Sequence, residues 1–232
     1  MPDEIDETDE LRNRDEIADD YNERGISFFN LRKYPEAIKE FTKAIKTLSN
    51  DPDYHFNRGL AYYSMRMYEQ AVVDYKNAIK IIDDNSDYYN ALGAALEDSG
   101  MLKESVEAFN KAITIESDIP DFYYNRGNAL FKLGKKDEAL RDYSEAVRLN
   151  SMDQIFVYKR YQVLMEMGKF EDALKDIETA IGVSPENGTY HLLKADTLVE
   201  LGKKEEAKKA LNEASKYNVD PKEIEERKRH LN

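Results

Sequence analysis

An all-α fold of tandem helix pairs is predicted for this 232-residue chain by three observations. Gly25, Gly59, Gly93 and Gly127 recur every 34 residues, and so do Gly100, Gly134, Gly168 and Gly202, which accounts for eight of the ten glycines. Alanines keep the same period in two further phases, Ala37, Ala71, Ala139, Ala173 and Ala207, interrupted by Ser105, and Ala44, Ala78, Ala112, Ala146, Ala180 and Ala214. Within one period, large residues fall at helical spacing in two blocks, such as Tyr123, Leu130 and Leu133, then Leu140, Tyr143 and Val147, with Gly134 between them. A strict period of this length marks an α-solenoid, in which each unit buries its apolar face on the next. An apolar content of 41% with only 10 Gly and 6 Pro suits helices better than sheets.

The elements follow in order. Residues 1–20 hold ten acids against Arg12 and Arg14, so −8 of the net charge of −13 is local, and 1–17 reads as an acidic, flexible tail. Six repeats then occupy 18–51, 52–85, 86–119, 120–153, 154–187 and 188–221. The small residues let two helix axes approach, and the glycine between them supplies the positive φ that ends the first helix. Arg32 and Arg66 replace that turn glycine in the first two repeats. Pro35 and Pro120 open helices, where a missing N–H is harmless. Residues 222–232 read as a capping helix that turns Ile224 and Leu231 onto the last repeat, with the run Arg227, Lys228 and Arg229 suited to a helix C-terminus.

Several function classes are excluded by composition. There is no cysteine, so disulfides, thiolate metal sites and Cys nucleophiles are absent and an intracellular, cytoplasmic location is expected. The negative charge disfavours nucleic acid and anionic membranes. The N-terminal sequence has no basic and apolar leader, and no segment approaches the apolar length of a membrane span. Nucleotide-binding loops, H-E-x-x-H and G-x-S-x-G are missing. His55 and His191 share one repeat phase and read as packing residues, and His230 stands apart, so no metal and no cofactor is expected. A non-enzymatic protein is the expectation.

The pattern resembles the tetratricopeptide repeat family, whose unit is 34 residues with the motif W-x2-L-G-x2-Y, A-x3-F, P. Its first aromatic position is held by Tyr21, His55, Tyr89, Tyr123, Val157 and His191. Its small position is held by Gly25, Gly59, Gly93, Gly127, Tyr161 and Ala195, and the aromatic between the alanines by Phe41, Tyr75, Phe109, Tyr143, Ile177 and Leu211. Tyr161 breaks the small position, so the fifth repeat is expected to spread its helices or turn that ring outward. The closing Pro is matched by Pro185.

The resemblance implies a right-handed superhelix whose first helices line a concave groove, with repeat positions 2, 5, 6, 9, 12 and 13 pointing into it. The groove candidates are then Asn22, Phe29, Phe56, Asn57, Tyr63, Asn90, Tyr124, Asn125, Asn128, Phe131, Tyr158 and Lys159. Asparagine amides both donate and accept, so a row of them can pair with a peptide backbone, and neighbouring rings offer anchor pockets. Ten acids against Lys132 and Lys159 at these phases predict a preference for basic or neutral segments. Asp53, Asp87 and Asp121 at helix starts read as caps or as partners of the helix dipole. Arg24, Arg58, Arg126 and Arg160 stand where the family usually has Leu and are expected to pack their stems and send the guanidinium to water.

The expected function is a protein-interaction adaptor or scaffold that binds an extended segment or a partner helix. A permanent structural subunit of a ciliary, transport or ubiquitin-ligase assembly stays open beside it. A co-chaperone for acidic chaperone tails is set aside, because Asp53, Asp87 and Asp121 replace the lysines that the resemblance would require at position 2.

Overall fold

The computed structural model describes residues 7–151 and 153–231, except that the side chains of 7–13 and of His230 lie outside the described residues. All regular structure in them is helical. The helices are α1 Glu7–Asn30, α2 Tyr34–Thr47, α3 Pro52–Ser64, α4 Tyr68–Ile81, α5 Ser86–Asp98, α6 Leu102–Ile115, α7 Pro120–Lys132, α8 Lys136–Leu149, α9 Gln154–Glu166, α10 Phe170–Val183, α11 Gly188–Glu200, α12 Lys204–Ala214 and α13 Pro221–Leu231. They form two compact units, one ending at Asp118 and one starting at Ile119. Each unit stacks three antiparallel helix pairs, and α13 closes the second.

Residues 7–17, expected as tail, continue α1 as helix, whereas 1–6 lie outside the described residues. Acids near a helix N-terminus oppose the positive end of its dipole, which favours this extension. Arg14 ties it down by donating to the Thr47 carbonyl at 2.9 Å.

Within a pair, the period of small residues is a packing device. A Cβ built on Gly59 would stand 2.6 Å from the Tyr75 ring, and one on Gly93 or Gly127 would stand 2.6 or 2.9 Å from Phe109 or Tyr143. Where the first helix carries a larger residue, the second carries no ring: Tyr161 is matched by Ile177 and Ala195 by Leu211. The Tyr161 ring does not turn outward. It is buried, and its hydroxyl reaches the Leu193 carbonyl at 3.2 Å and Thr197 Oγ1 at 3.1 Å on α11.

All six turns between paired helices close with the same two hydrogen bonds, as in Lys33 N–H to Phe28 O at 2.9 Å and Arg32 N–H to Phe29 O at 2.8 Å. The pattern needs a left-handed residue. Gly100, Gly134, Gly168 and Gly202 take positive φ there, and so do Arg32 at 57° and Arg66 at 60°. A side chain in that region costs about 1–2 kcal/mol, part of which glycine returns as unfolded-state entropy. Arg66→Gly should therefore raise stability by about 0.5–1 kcal/mol in thermal denaturation.

Arg24 is exposed as expected, but Arg58, Arg126 and Arg160 do not send the guanidinium to water. Arg58 donates to both Asp74 oxygens at 2.8 and 2.7 Å, Arg126 to both of Asp142 at 2.7 and 2.6 Å, and Arg160 to both of Asp176. Each carboxylate is buried, Asp74 to 1% exposure. These bidentate clamps bridge first and second helix, and they draw on the matching geometry of guanidinium and carboxylate. In the first repeat Arg24 lies 3.6 Å from buried Glu40. In the third repeat both partners change together, to Leu92 and Ala108, and the site is apolar.

Of the two roles expected of Asp53, Asp87 and Asp121, the dipole one is met and the capping one falls to other residues. Asp51, Asn85, Asp153 and Asn187 accept the N–H groups at the starts of α3, α5, α9 and α11. Asp53, Asp87 and Asp121 fall inside the first turns instead, where they face the helix dipole. At the far end, α13 places Ile224 and Leu231 in one cluster with Leu192, Leu198, Leu211 and Ala214.

Candidate functional site

The first helices of the pairs, α1, α3 and α5 in one unit and α7, α9 and α11 in the other, carry the expected groove positions. All twelve candidates are half-buried. Asn22, Phe29, Phe56, Asn57, Tyr63 and Asn90 belong to the first unit, and Tyr124, Asn125, Asn128, Phe131, Tyr158 and Lys159 to the second.

In the first unit, successive first helices are linked by residues 35 apart. Asn57 Nδ2 donates to Asn22 Oδ1 at 3.0 Å. Tyr54 donates to Asp19 at 2.6 Å, Tyr88 to Asp53 at 2.7 Å and Tyr63 to Asp98 at 2.6 Å. Burial first, and then the carboxylate each hydroxyl faces, pushes all three phenols well above their ordinary value, so they remain donors. Phe56 is wedged between Tyr75 and Tyr88, with centroids at 5.6 and 4.9 Å, and Phe29 meets Tyr34 edge-on at 5.4 Å. These rings are held, not loose, so they form a preset surface.

In the second unit, Tyr124 packs on Tyr143 at 6.1 Å and Phe156 at 5.3 Å. Tyr143 donates to Asn128 at 2.8 Å, which makes Asn128 part of the helix-pair packing. Tyr158 stacks on Tyr161 at 6.3 Å and accepts from Gln162 at 3.2 Å. Two residues outside the expected set reach this face. Lys136 of α8 pairs with Glu166 at 2.9 Å, and Arg227 of α13 with Asp196, Nε to Oδ1 at 2.9 Å. Sequence reasoning missed them because it took groove positions from first helices alone.

Three clefts, of about 280, 310 and 430 Å³, lie over the clamps Arg160–Asp176 and Arg58–Asp74 and over their sixth-repeat counterpart, Lys194 and Ala210. None is lined by a groove candidate. Among the described residues, no three His, Asp or Glu side chains are grouped as metal ligands, and no helix is long and apolar enough to cross a membrane.

Family models of the tetratricopeptide repeat match residues 52–85 and 120–153, and 164–225; a TPR repeat model matches 25–65 and 98–134. No curated protein matches the sequence. Among solved structures, YrrB, described as a TPR protein with an unusual peptide-binding site, is similar at TM-score 0.68 and 24% identity, over 82% of this chain and 97% of that one. PilF of Pseudomonas aeruginosa is similar at 0.71 and 16%, over 94% and 99%. The C-terminal part of a TPR repeat-containing protein from Cytophaga hutchinsonii is similar at 0.75 and 18%, over 83% and 77%. At such identities the likeness is one of fold. With the period, the helix pairs and three matching models together, the chain belongs to the tetratricopeptide repeat family.

Proposed function

We propose that this chain is a non-enzymatic, cytoplasmic interaction scaffold whose inner faces take an extended peptide segment or a partner helix. The family is one of protein-interaction scaffolds. The observation that carries the proposal is the set of half-buried Asn, Phe and Tyr side chains on consecutive first helices. Such residues offer backbone-directed hydrogen bonds beside ring surfaces already fixed in place. In the first unit the groove phases hold Asp19, Glu23, Asp53, Asp87, Glu97 and Asp98 and no Lys or Arg, which favours basic or neutral segments. Three of these acids keep a lone pair committed to a tyrosine, so the field is acidic while the geometry is fixed.

The double variant Asn57→Ala with Asn125→Ala tests it. Alanine gains about 0.5 kcal/mol of helix propensity per site, while Asn22 loses its amide partner, so the melting temperature should move little. Each lost hydrogen bond to a ligand backbone should cost about 1 kcal/mol, so a neutral peptide probe measured by calorimetry should bind the double variant about thirtyfold more weakly. Unchanged binding would place recognition outside the asparagines.

A further inference from the structure

The inner face of the second unit is chemically unlike that of the first. Two of the four acids at its groove phases are answered from within, Glu166 by Lys136 and Asp196 by the forked hydrogen bonds of Arg227, while Asp121 and Glu200 lie at the start of α7 and the end of α11. Lys159, in the middle of α9, is half-buried and has no hydrogen bond, ion pair or ring contact among the described residues. Ile155, Tyr158, Gln162 and Met165 share its helix face at spacings of three and four, and Ile155 is 57% exposed. On α11 the neighbouring groove phases hold Leu193 and Val199, the latter 39% exposed. The result, around α9, is an apolar surface on which Glu166 and Asp196 are paired and one ammonium is left over.

We propose that the second unit takes a segment bearing apolar side chains and one carboxylate, with the carboxylate pairing to Lys159. This rests on the inner faces being the binding surfaces. A half-buried ammonium has already shed part of its water, so pairing it sets less desolvation against the Coulomb gain than pairing a fully solvated lysine. The apolar flanks keep that pair away from solvent. The first unit has no unpaired cation at its groove phases, so the two faces select different chemistry, and a partner of the second unit is acidic where a partner of the first is basic.

The test uses the full chain and three short synthetic peptides that differ at one central position between two leucines, Glu, Gln or Lys, with affinities measured by calorimetry at low and high salt. The Glu peptide should bind the unaltered protein about tenfold tighter than it binds Lys159→Met, by an amount that shrinks as salt rises, whereas the Gln peptide should bind the two alike. Lys159→Glu should weaken the Glu peptide further, and the Lys peptide reports on the first unit. A Glu peptide that binds Lys159→Met or Lys159→Glu as tightly as the unaltered protein overturns the proposal. If the Lys peptide is captured and Asn57→Ala abolishes its capture while the Glu peptide fails, this proposal falls and the wider one stands. If no peptide binds, both fall.

Discussion

Asp74→Ala should lower stability by about 3–5 kcal/mol, the cost of leaving Arg58 without its buried partner. Arg58→Leu should cost a similar amount, because Asp74 would then keep only His55, whose Nδ1 is 3.5 Å away. The double variant, Arg58→Leu with Asp74→Ala, should recover most of the loss. It reproduces what the third repeat does with Leu92 and Ala108, where an apolar pair fills the same site. A thermodynamic cycle measured by denaturant unfolding would show a coupling of roughly 3 kcal/mol or more. The pair is also sensitive to acid. Burial pushes the Asp74 carboxyl up, but Arg58 and His55 outweigh that and hold it below its ordinary value. A folded pKa below the unfolded one means the contribution is complete above about pH 4 and is lost as pH falls further, through the folded pKa. The double variant should lack that acid dependence.

Removing residues 222–232 should destabilise the second unit by about 3–6 kcal/mol, from the burial of Ile224 and Leu231 at about 1.5–3 kcal/mol each. The effect should be local, because repeats couple to their neighbours. Hydrogen exchange in α11 and α12 should accelerate most, while α3 and α4 should keep their protection. Ile224→Ala, at about 2–4 kcal/mol, separates lost packing from lost charge, since it leaves Arg227 on Asp196. Equal acceleration in α3 and α4 would mean that the two units unfold as one.

Much of this architecture is legible in the sequence because its cause is periodic. Gly59 against Tyr75 repeats as Gly93 against Phe109 and Gly127 against Tyr143, and a steric need that recurs every 34 residues leaves a visible trace. The clamps were less legible. Arg58 and Asp74 are sixteen residues apart, on different helices, and each alone looks like a surface charge. Their signal lies in co-variation along the repeats: Arg126 keeps Asp142, Arg160 keeps Asp176, and Leu92 comes with Ala108. Likewise Asp53 carries the marks of a cap, but the residue two before it already caps α3, which leaves Asp53 free to accept from Tyr88. The groove positions could be assigned by phase, whereas the neutralisation of Asp196 by Arg227 could not, because it depends on how the last helix folds back against α11.

The central claim, that partners are held on the first helices, is tested most directly by site-specific photo-crosslinking in the source cell. A photoreactive amino acid would be placed at the exposed inner positions Glu23 and Val199, and at the exposed outer positions Val73 and Lys111. The account predicts that partners crosslink from Glu23 or Val199 and not from Val73 or Lys111. Crosslinks confined to Val73 and Lys111 would contradict it.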